Sequence, residues 1–309
     1  MRITNTMLVN NMVNYMSNNL TRMDKYQTQL ATGKKIQVPS DDPIVATRAL
    51  KYRTDVAEVD QYQKNLKDAQ SWMDITENTI GSIGDILQRA RELAVQGANG
   101  TNTPSDMDNI KKEVDQLTAQ AIHLANTTYS GRYIFSGFKT DQPLVDDDPS
   151  SANYGQFLIG VNNSNEQIKF QIGIADSINV NVCGGDLFDN GANASVGTTG
   201  GMIAALKQLS ADLGSGNYNG VRNDIGGIDT QMNNLLKVRA DIGARQNRLE
   251  LTSGRLSNDN INFTQLMADN EDVDTAETIM NLKNEENVYR ASLSGGARII
   301  QPTLVDFLR

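Results

Sequence analysis

An apolar residue recurs at every seventh position in two long stretches, and this repeat limits the folds open to the chain. The first stretch contains Val45, Tyr52, Val59, Leu66, Met73, Ile80, Leu87 and Ala94. The second contains Val221, Ile228, Leu235, Ile242, Leu249, Leu256 and Phe263. A seven-residue apolar period is typical of long helices that pack side by side at a shallow angle. The repeat therefore predicts two long helices of similar length that lie antiparallel in one bundle.

The prolines lie where helices are expected to begin or end. A proline inside a helix removes a backbone hydrogen bond and clashes with the preceding turn, at a cost of about 3 kcal/mol. Two long stretches contain none, residues 44–103 and residues 150–301. Pro43 and Pro104 follow Asp42 and Thr103, whose side chains can cap a helix that has proline at its first position. This pattern predicts helix starts near residues 43 and 104.

Narrower apolar seams run along both ends of the chain, where we expect helices over about Asn5–Thr32 and over 272–309. The seam residues near the start are Val9, Val13, Met16, Leu20, Met23 and Leu30. Those near the end are Ile279, Leu282, Tyr289, Leu293 and Ile300. Both sets alternate by three and four positions, with gaps at Gln27, Glu286 and Gly296, as in the seam of a coiled coil.

The two ends also carry opposite charge. Residues 1–40 have five basic and one acidic side chain, whereas residues 271–309 have four basic and seven acidic ones. We therefore expect the two terminal helices to pair with each other. Because one pair of narrow seams buries little surface, the pair is expected to complete its burial against other copies of the chain. On this hypothesis the seam residues named above are subunit-interface residues of a self-assembly.

The middle of the chain has a different composition and predicts a small β insertion. Short apolar runs at Gln156–Val161, Gln167–Ile172 and Ser177–Val182 are separated by Asn and Gly, which predicts three or more strands. Just before them, Tyr133-Ile134-Phe135 lies between two glycines and predicts a short strand in a hairpin. A short helix is expected over Gly200–Leu213, followed by a break at Asn219-Gly220.

Together these patterns predict a mainly α fold, a long antiparallel helical bundle with terminal coiled-coil helices and a small inserted β domain. The expected domains are an N-terminal coiled-coil segment with a loop (1–44), the first part of the bundle (45–139), the inserted β-rich domain (140–199), the second part of the bundle (200–270) and a C-terminal coiled-coil helix (271–309).

Composition excludes several classes of function. The formal net charge of −9 argues against nucleic acid as the main partner, because phosphate binding requires clustered Lys and Arg. The chain contains no run of 18 apolar residues, so we expect no membrane insertion. Residues 1–22 lack the apolar core of a secretory signal peptide. A single cysteine, Cys183, cannot form an intramolecular disulfide.

The sequence shows no catalytic, cofactor-binding or metal-binding constellation. His123 is the one histidine, and with one cysteine it cannot build a Cys/His zinc site. Neither a nucleophile elbow nor a phosphate-binding loop of the Walker type is present. The acidic run Asp146–Asp148 lacks the alternating ligands of an EF-hand loop. These observations predict a protein that is not an enzyme and needs no cofactor.

Four stretches resemble the flagellin family of bacterial axial proteins. They are Leu30–Pro43, Leu124–Thr140, Arg239–Glu250 and Gln301–Leu308. Within that family, the Met1–Thr6 opening, the Pro39–Pro43 loop and the Tyr133–Thr140 segment resemble the subunits that join the hook to the filament more than they resemble ordinary flagellin. The resemblance covers most of the chain outside the β insertion.

This resemblance implies an extracellular structural protein of the bacterial flagellum. It implies that the terminal helices form an inner coiled-coil tube and that the subunit lies between hook-associated protein 1 and flagellin. It also implies export through the flagellar secretion channel without a cleaved signal peptide, and an export chaperone that binds the C-terminal region. The alternatives are flagellin itself, a cytoplasmic helical signalling adaptor, or an enzyme with a site in the β insertion.

Overall fold

A computed structural model describes the backbone of residues 5–299 and the side chains of residues 7–297. Its helices are α1 (Asn5–Thr32), α2 (Pro43–Gly97), α3 (Pro104–Ala125), α4 (Gly184–Phe188), α5 (Gly201–Ser215), α6 (Tyr218–Glu271) and α7 (Thr275–Ile299). Its strands are β1 (Thr128–Tyr129), β2 (Arg132–Tyr133), β3 (Lys169–Gly173) and β4 (Asp176–Asn179). The mainly α fold predicted from the sequence is confirmed.

The chain divides into two compact units. The terminal unit comprises the described parts of Met1–Glu58 and Asp259–Arg309, and the central unit comprises Val59–Asn258. The long helices α2 and α6 contribute residues to both units. The division into five domains expected from the sequence stays a prediction.

In the central unit, α2 and α6 run antiparallel, as the seven-residue repeats predicted. Three cross-helix contacts show the direction, because their α2 positions rise while their α6 positions fall. The Gln63 amide donates to the Leu256 carbonyl at 3.2 Å, Arg239 pairs with Glu77, and Arg91 pairs with Asp229 at 2.6 Å. All repeat residues of this unit are buried: Val59, Leu66, Met73, Ile80, Leu87, Ala94, Val221, Ile228, Leu235, Ile242, Leu249 and Leu256.

The predicted helix starts are confirmed by their caps. The Asp42 carboxylate accepts hydrogen bonds from the backbone N–H groups of Ile44 and Val45, at 3.0 and 3.1 Å, and so caps α2. Thr103 and Asp106 form a reciprocal capping box at the start of α3. Both caps satisfy donors that the first turn of a helix leaves free.

The break predicted at Asn219-Gly220 is wrong, because both residues lie in the first turn of α6. The chain reverses at Gly216, which has a φ of +68° and ends α5. Asn217 then caps α6 by accepting a hydrogen bond from the Gly220 N–H at 3.1 Å. Gly220 allows a close approach of Asp212 to α6, since a Cβ at position 220 would collide with the Asp212 carboxylate.

The predicted β insertion is present, but with fewer regular strands. β3 and β4 form an antiparallel pair where the second and third apolar runs predicted strands. The first run, Gln156–Val161, is not a strand, because its three bridges are isolated and no ladder forms. Phe157 bridges to Val145, and Gln156 and Val161 bridge to Thr199 and Ala194. Its residues Phe157, Ile159 and Val161 are nevertheless buried, while Leu158 is exposed. The short helix α4, which no sequence pattern predicted, follows β4.

The hairpin predicted around Tyr133 is confirmed with a shift in its bounds. Strands β1 and β2 pair antiparallel across a two-residue turn at Ser130 and Gly131, whose φ values are +52° and +77°. Such a turn matches the twist of the flanking strands. The second strand ends at Tyr133, so Ile134 and Phe135 belong to the buried segment that follows it.

Candidate assembly surface

Helices α1 and α7 pack against each other in the terminal unit and run antiparallel. Lys34 Nζ lies 2.7 Å from Asp272 Oδ1, and Arg22 Nε lies 2.8 Å from Glu285 Oε1. Farther along, Gly296 faces Met12. The pairing of the two terminal helices predicted from their seams and opposite charges is therefore present within one chain.

The residues that face the partner helix follow the spacing of a coiled coil. In α1 the buried or half-buried positions with this spacing are Val9, Met12, Met16, Asn19, Met23, Tyr26 and Leu30. In α7 they are Thr278, Leu282, Glu285, Tyr289, Ser292 and Gly296. Both sets alternate by three and four residues, as knobs-into-holes packing requires. We call these two sets the facing seam.

The structure divides the residues predicted from the sequence as interface residues into two groups. Val9, Met16, Met23, Leu30, Leu282 and Tyr289 belong to the facing seam. Val13, Leu20, Ile279 and Leu293 are exposed, and Ile300 lies outside the described residues. The role of all of them in contacts between subunits stays a prediction.

The sequence missed that α1 turns a polar residue, Asn19, toward its partner. The predicted seam passes through Val13 and Leu20, whereas the facing seam takes Met12 and Asn19 in their place. Asn19 is nevertheless only 5% exposed. It accepts a hydrogen bond from the Arg22 guanidinium, which also pairs with Glu285. A buried amide that is hydrogen-bonded in this way costs little, so charge pairing across the helices selects this register.

Gly296 interrupts the apolar pattern of α7, yet it belongs to the facing seam. A Cβ at this position would collide with the side chain of Met12. The missing side chain therefore lets a long, flexible methionine from α1 fill the space beside α7. A gap in the apolar pattern is here a site of close packing.

Outside the facing seam, these two helices carry many exposed apolar side chains. Nine large apolar residues are between 42% and 66% exposed: Met7, Leu8, Val13, Tyr15, Leu20, Ile279, Met280, Val288 and Leu293. We call them the outer apolar set. Exposed apolar side chains that cluster on a folded protein are typical of interaction surfaces. The paired helices therefore bury the facing seam against each other and leave the outer apolar set in solvent.

A buried carboxylate holds the loop after α1 against the connection between α6 and α7. Glu271 is 1% exposed. Its Oε2 atom lies 2.7 Å from Arg53 Nη2 and 3.3 Å from Lys34 Nζ. The hydrogen bond from Arg53 holds the pKa of Glu271 below its usual value, with further help from Lys34. Backbone bonds Lys35 N to Glu271 O and Val273 N to Gly33 O join the same segments, at 2.7 and 3.0 Å.

The lone histidine and cysteine do not form a reactive site. The His123 ring is largely exposed, with Nδ1 4.0 Å from Asp147 Oδ2. Cys183 is buried, and burial raises the pKa of its thiol to about 12, so it stays protonated at neutral pH. Within residues 7–297, no group of three or more His, Cys, Asp or Glu side chains is placed to hold a metal ion. No helix in the described part of the chain could span a lipid bilayer.

Comparison with known proteins matches both ends of the chain to the same family. The family model of the bacterial flagellin N-terminal helical region matches residues 3–140, and that of the bacterial flagellin C-terminal helical region matches residues 225–308. The chain is 29% identical to flagellar hook-associated protein 3 of Escherichia coli K12, over 94% of this chain and 95% of that protein. It is 28% identical to flagellin of Bacillus subtilis 168, over 94% of each.

Solved structures share the fold. A flagellar hook-associated protein from Vibrio parahaemolyticus superposes with a TM-score of 0.63 at 21% identity, covering 75% of this chain and 100% of that chain. The Bacillus cereus FlgL crystal structure gives a TM-score of 0.56 at 22% identity, covering 71% and 99%. At these identities the likeness concerns the fold.

Proposed function

The chain belongs to the bacterial flagellin family, and we propose that it is the structural subunit that joins the hook to the filament of the flagellum. The observation that supports this proposal is the outer apolar set on the paired terminal helices. A lone subunit leaves this surface in water. An axial assembly offers each copy neighbours on several sides, and a repeated contact of this kind builds a closed ring or a helical layer.

The size of the outer apolar set supports this proposal, because its burial offsets much of the cost of association. Full burial of a large apolar side chain contributes about 1.5–3 kcal/mol. Nine side chains that are about half exposed therefore offer on the order of 10 kcal/mol per copy, which is comparable to the cost of immobilising a subunit. In this proposal the facing seam holds each helix pair together, and the outer apolar set joins neighbouring pairs around the axis.

The proposed neighbours follow from the position in the flagellum. They are further copies of the chain, hook-associated protein 1 on the hook side and flagellin on the filament side. We also propose export through the flagellar secretion channel without a cleaved signal peptide, and an export chaperone at the C-terminal region. A structural joint of this kind performs no catalysis and uses no cofactor.

Flagellin itself is the second candidate. The chain is 28% identical to Bacillus subtilis flagellin and 29% identical to hook-associated protein 3 of Escherichia coli, so sequence identity does not separate the two roles. The two roles differ in self-polymerisation. Flagellin forms long filaments alone, whereas a joint protein adds only a short layer.

The decisive experiment is deletion of this chain, followed by electron microscopy of the cells and assay of flagellin in the medium. The junction role predicts hooks without filaments and flagellin lost to the medium, both restored by the wild-type gene. Normal filaments in the deletion strain, or long filaments assembled from the purified chain alone, would contradict it.

A further inference from the structure

An open cavity of about 520 Å³ lies between the β insertion and α6 in the central unit. Its volume is within the range of about 300–1,000 Å³ that small-molecule sites occupy. Helix α6 contributes Asn233 and Lys237 to its lining, and the segment 163–191 contributes Gln167, Asp186 and Asn190. The outer apolar set belongs to the other unit, so a ligand here would bind whether or not the chain joins the hook to the filament.

Hydrogen bonds between the two sides fix the walls of the cavity. The Asn234 amide of α6 donates to the Asp186 carbonyl at 2.8 Å. The Arg245 guanidinium, also on α6, donates to the Asn181 carbonyl at 3.3 Å. These contacts within one chain hold the binding groups in place, so little ordering is needed when a ligand binds, and this favours affinity.

Carboxamide side chains dominate the lining. An Asn or Gln side chain both donates and accepts hydrogen bonds, and a hydroxyl group does the same. Seven of the sixteen lining residues carry a carboxamide: Asn163, Gln167, Asn179, Asn181, Asn190, Asn233 and Asn234. None of the sixteen, all of which the structure describes, is aromatic. The lining is therefore matched to a ligand that is rich in hydroxyl groups.

Several of these polar groups have no partner in the protein and are accessible. Asn190 and Asn233 are exposed and Gln167 is half-buried, and their side chains form no hydrogen bond with any described residue. Lys237 is exposed and forms neither a hydrogen bond nor an ion pair within the same part of the chain. A ligand in the cavity can therefore bind these groups without breaking a contact of the protein.

The carboxylate of Asp186 adds a strong acceptor. Its side chain is half-buried, and burial raises its pKa, although the charge of Arg245 opposes this shift. The raised pKa means that the carboxylate is less well solvated than it would be in water, and that it gains from further donors. A hydroxyl group of a ligand would supply one, in a charge-assisted hydrogen bond.

The charges of the lining favour an uncharged ligand. Two acidic and two basic side chains cancel each other: Asp186, Asp241, Lys237 and Arg245. Asp241 and Arg245 also pair with each other. A phosphate group would need clustered cations, and a metal ion would need a group of acidic, Cys or His ligands, which residues 7–297 do not offer. A peptide would need apolar pockets for its side chains, whereas Val182, Val238 and Cys183 are the apolar side chains of this lining.

We propose that this cavity binds a short neutral saccharide, with one sugar hydroxyl group donating to Asp186 and others accepting from Asn233 and Lys237. The carboxamides of the β insertion bind the remaining hydroxyl groups. Because the lining offers no aromatic ring for stacking, the affinity depends on hydrogen bonds and falls with the loss of any one of them.

The test uses the purified full chain in dilute solution and saturation-transfer difference NMR, which detects weakly bound ligands. The probes are maltose, lactose and N,N′-diacetylchitobiose, three neutral disaccharides that differ in their sugars and linkages. We expect the wild-type chain to transfer saturation to at least one of them. Asn233→Ala should raise the Kd of that disaccharide about fivefold, the effect of one neutral hydrogen bond. Asp186→Asn should raise it about tenfold, the effect of a charge-assisted one.

Asn247→Ala is the matched control, since it removes the same side chain at an exposed position of α6 that does not line the cavity. Asn233 is itself exposed, so Asn233→Ala should be as stable as wild type. No saturation transfer to any of the three disaccharides would overturn the proposal, as would an equal Kd for Asn233→Ala and Asn247→Ala. Stronger transfer to the peptide triglycine than to every disaccharide would also overturn it, by assigning the cavity to a peptide.

Discussion

The residues of the seven-residue repeat are fully buried in the central unit and only half-buried in the terminal unit. In the central unit every repeat position of α2 and α6 is at most 7% exposed. In the terminal unit the repeat continues through Val45, Tyr52 and Phe263, and all three are only half-buried. The helices are the same continuous helices in both units. The difference therefore lies in what covers them and not in the pattern itself.

The comparison shows which part of the molecule is complete in a single chain. The central unit has its own packed core, with α3 and α5 contributing further buried residues such as Val114, Ala121, Leu206 and Leu209. The terminal unit leaves its outer apolar set in water. We infer that the central unit is built for stability and the terminal unit for contact with other subunits. The following changes separate these roles, from the largest expected effect on the single chain to the smallest.

Charges placed in the central core should unfold the protein. Leu66→Asp and Leu235→Asp each put an unpaired carboxylate at a position that is 2% exposed, at a cost of several kcal/mol. Thermal denaturation followed by circular dichroism should show a large loss of stability in either variant. Wild-type melting of both would mean that the two long helices do not share one core.

Loss of the buried carboxylate should loosen the terminal unit alone. Glu271→Gln keeps the shape but removes the charge that Arg53 and Lys34 neutralise, and we expect a local loss of about 2–3 kcal/mol. Hydrogen exchange of peptides covering residues 33–42 and 270–275 should rise, while the central unit stays protected. Equal protection in the variant would show that the cluster does not hold the loop.

The same variant should also change the response to acid. The folded pKa of Glu271 lies below its ordinary value of 4.5, so its charge stabilises the fold above that pH, and the contribution is lost as the pH falls through the folded pKa. The stability difference between wild type and Glu271→Gln should therefore be full at neutral pH and shrink below about pH 4.5. A difference that grows in acid would reverse the assigned sign.

Much of this fold follows from local sequence signals. The caps at Asp42 and Thr103 and the repeats of α2 and α6 depend on residues close together in the chain or on a period that one helix carries alone. The facing register of α1 was not predictable in this way, because Asn19 is selected by the Arg22–Glu285 pair, 263 residues apart in sequence. The Arg53–Glu271 contact joins residues 218 positions apart, and no local pattern indicates it.

The β insertion shows the same limit. The short apolar run Gln156–Val161 predicts a strand, and three of its four apolar residues are buried, but the run forms no regular strand. Regular pairing was not predictable from that pattern, because the isolated bridges of the run go to two distant segments, one at Val145 and one at Ala194 and Thr199. For the predicted interface residues of α1 and α7, the sequence indicates apolar seams. Which of these residues contact another subunit depends on the neighbouring subunits, which the sequence of one chain does not describe.

A larger residue in the facing seam should separate α1 from α7. Gly296→Leu forces a side chain into Met12, and we expect a local loss of about 1–3 kcal/mol from overpacking. Gly295→Leu is the matched control, because a Cβ there meets no atom within 4 Å. Hydrogen exchange in α1 and α7 should increase for the first variant and not for the second. Equal effects would mean that the close approach at Gly296 does not hold the pair.

The smallest effect on the single chain belongs to the outer apolar set. Leu293→Lys changes an exposed residue, and we expect the melting of the purified monomer to stay within about 0.5 kcal/mol of wild type. The sequence predicts the same for Ile300→Lys. A larger loss would show that these side chains stabilise the monomer itself.

Assembly of Leu293→Lys in cells tests the central claim most directly. The variant, a matched Asn284→Lys control at another exposed position of α7, and wild type are each expressed in the deletion strain. Export into the medium is checked by immunoblot, and filaments are counted by electron microscopy. The account predicts that all three proteins are exported and that Leu293→Lys alone yields hooks without filaments, because each copy would bring a desolvated lysine into the contact between subunits. Normal filaments on exported Leu293→Lys would contradict the claim that the outer apolar set joins the subunits.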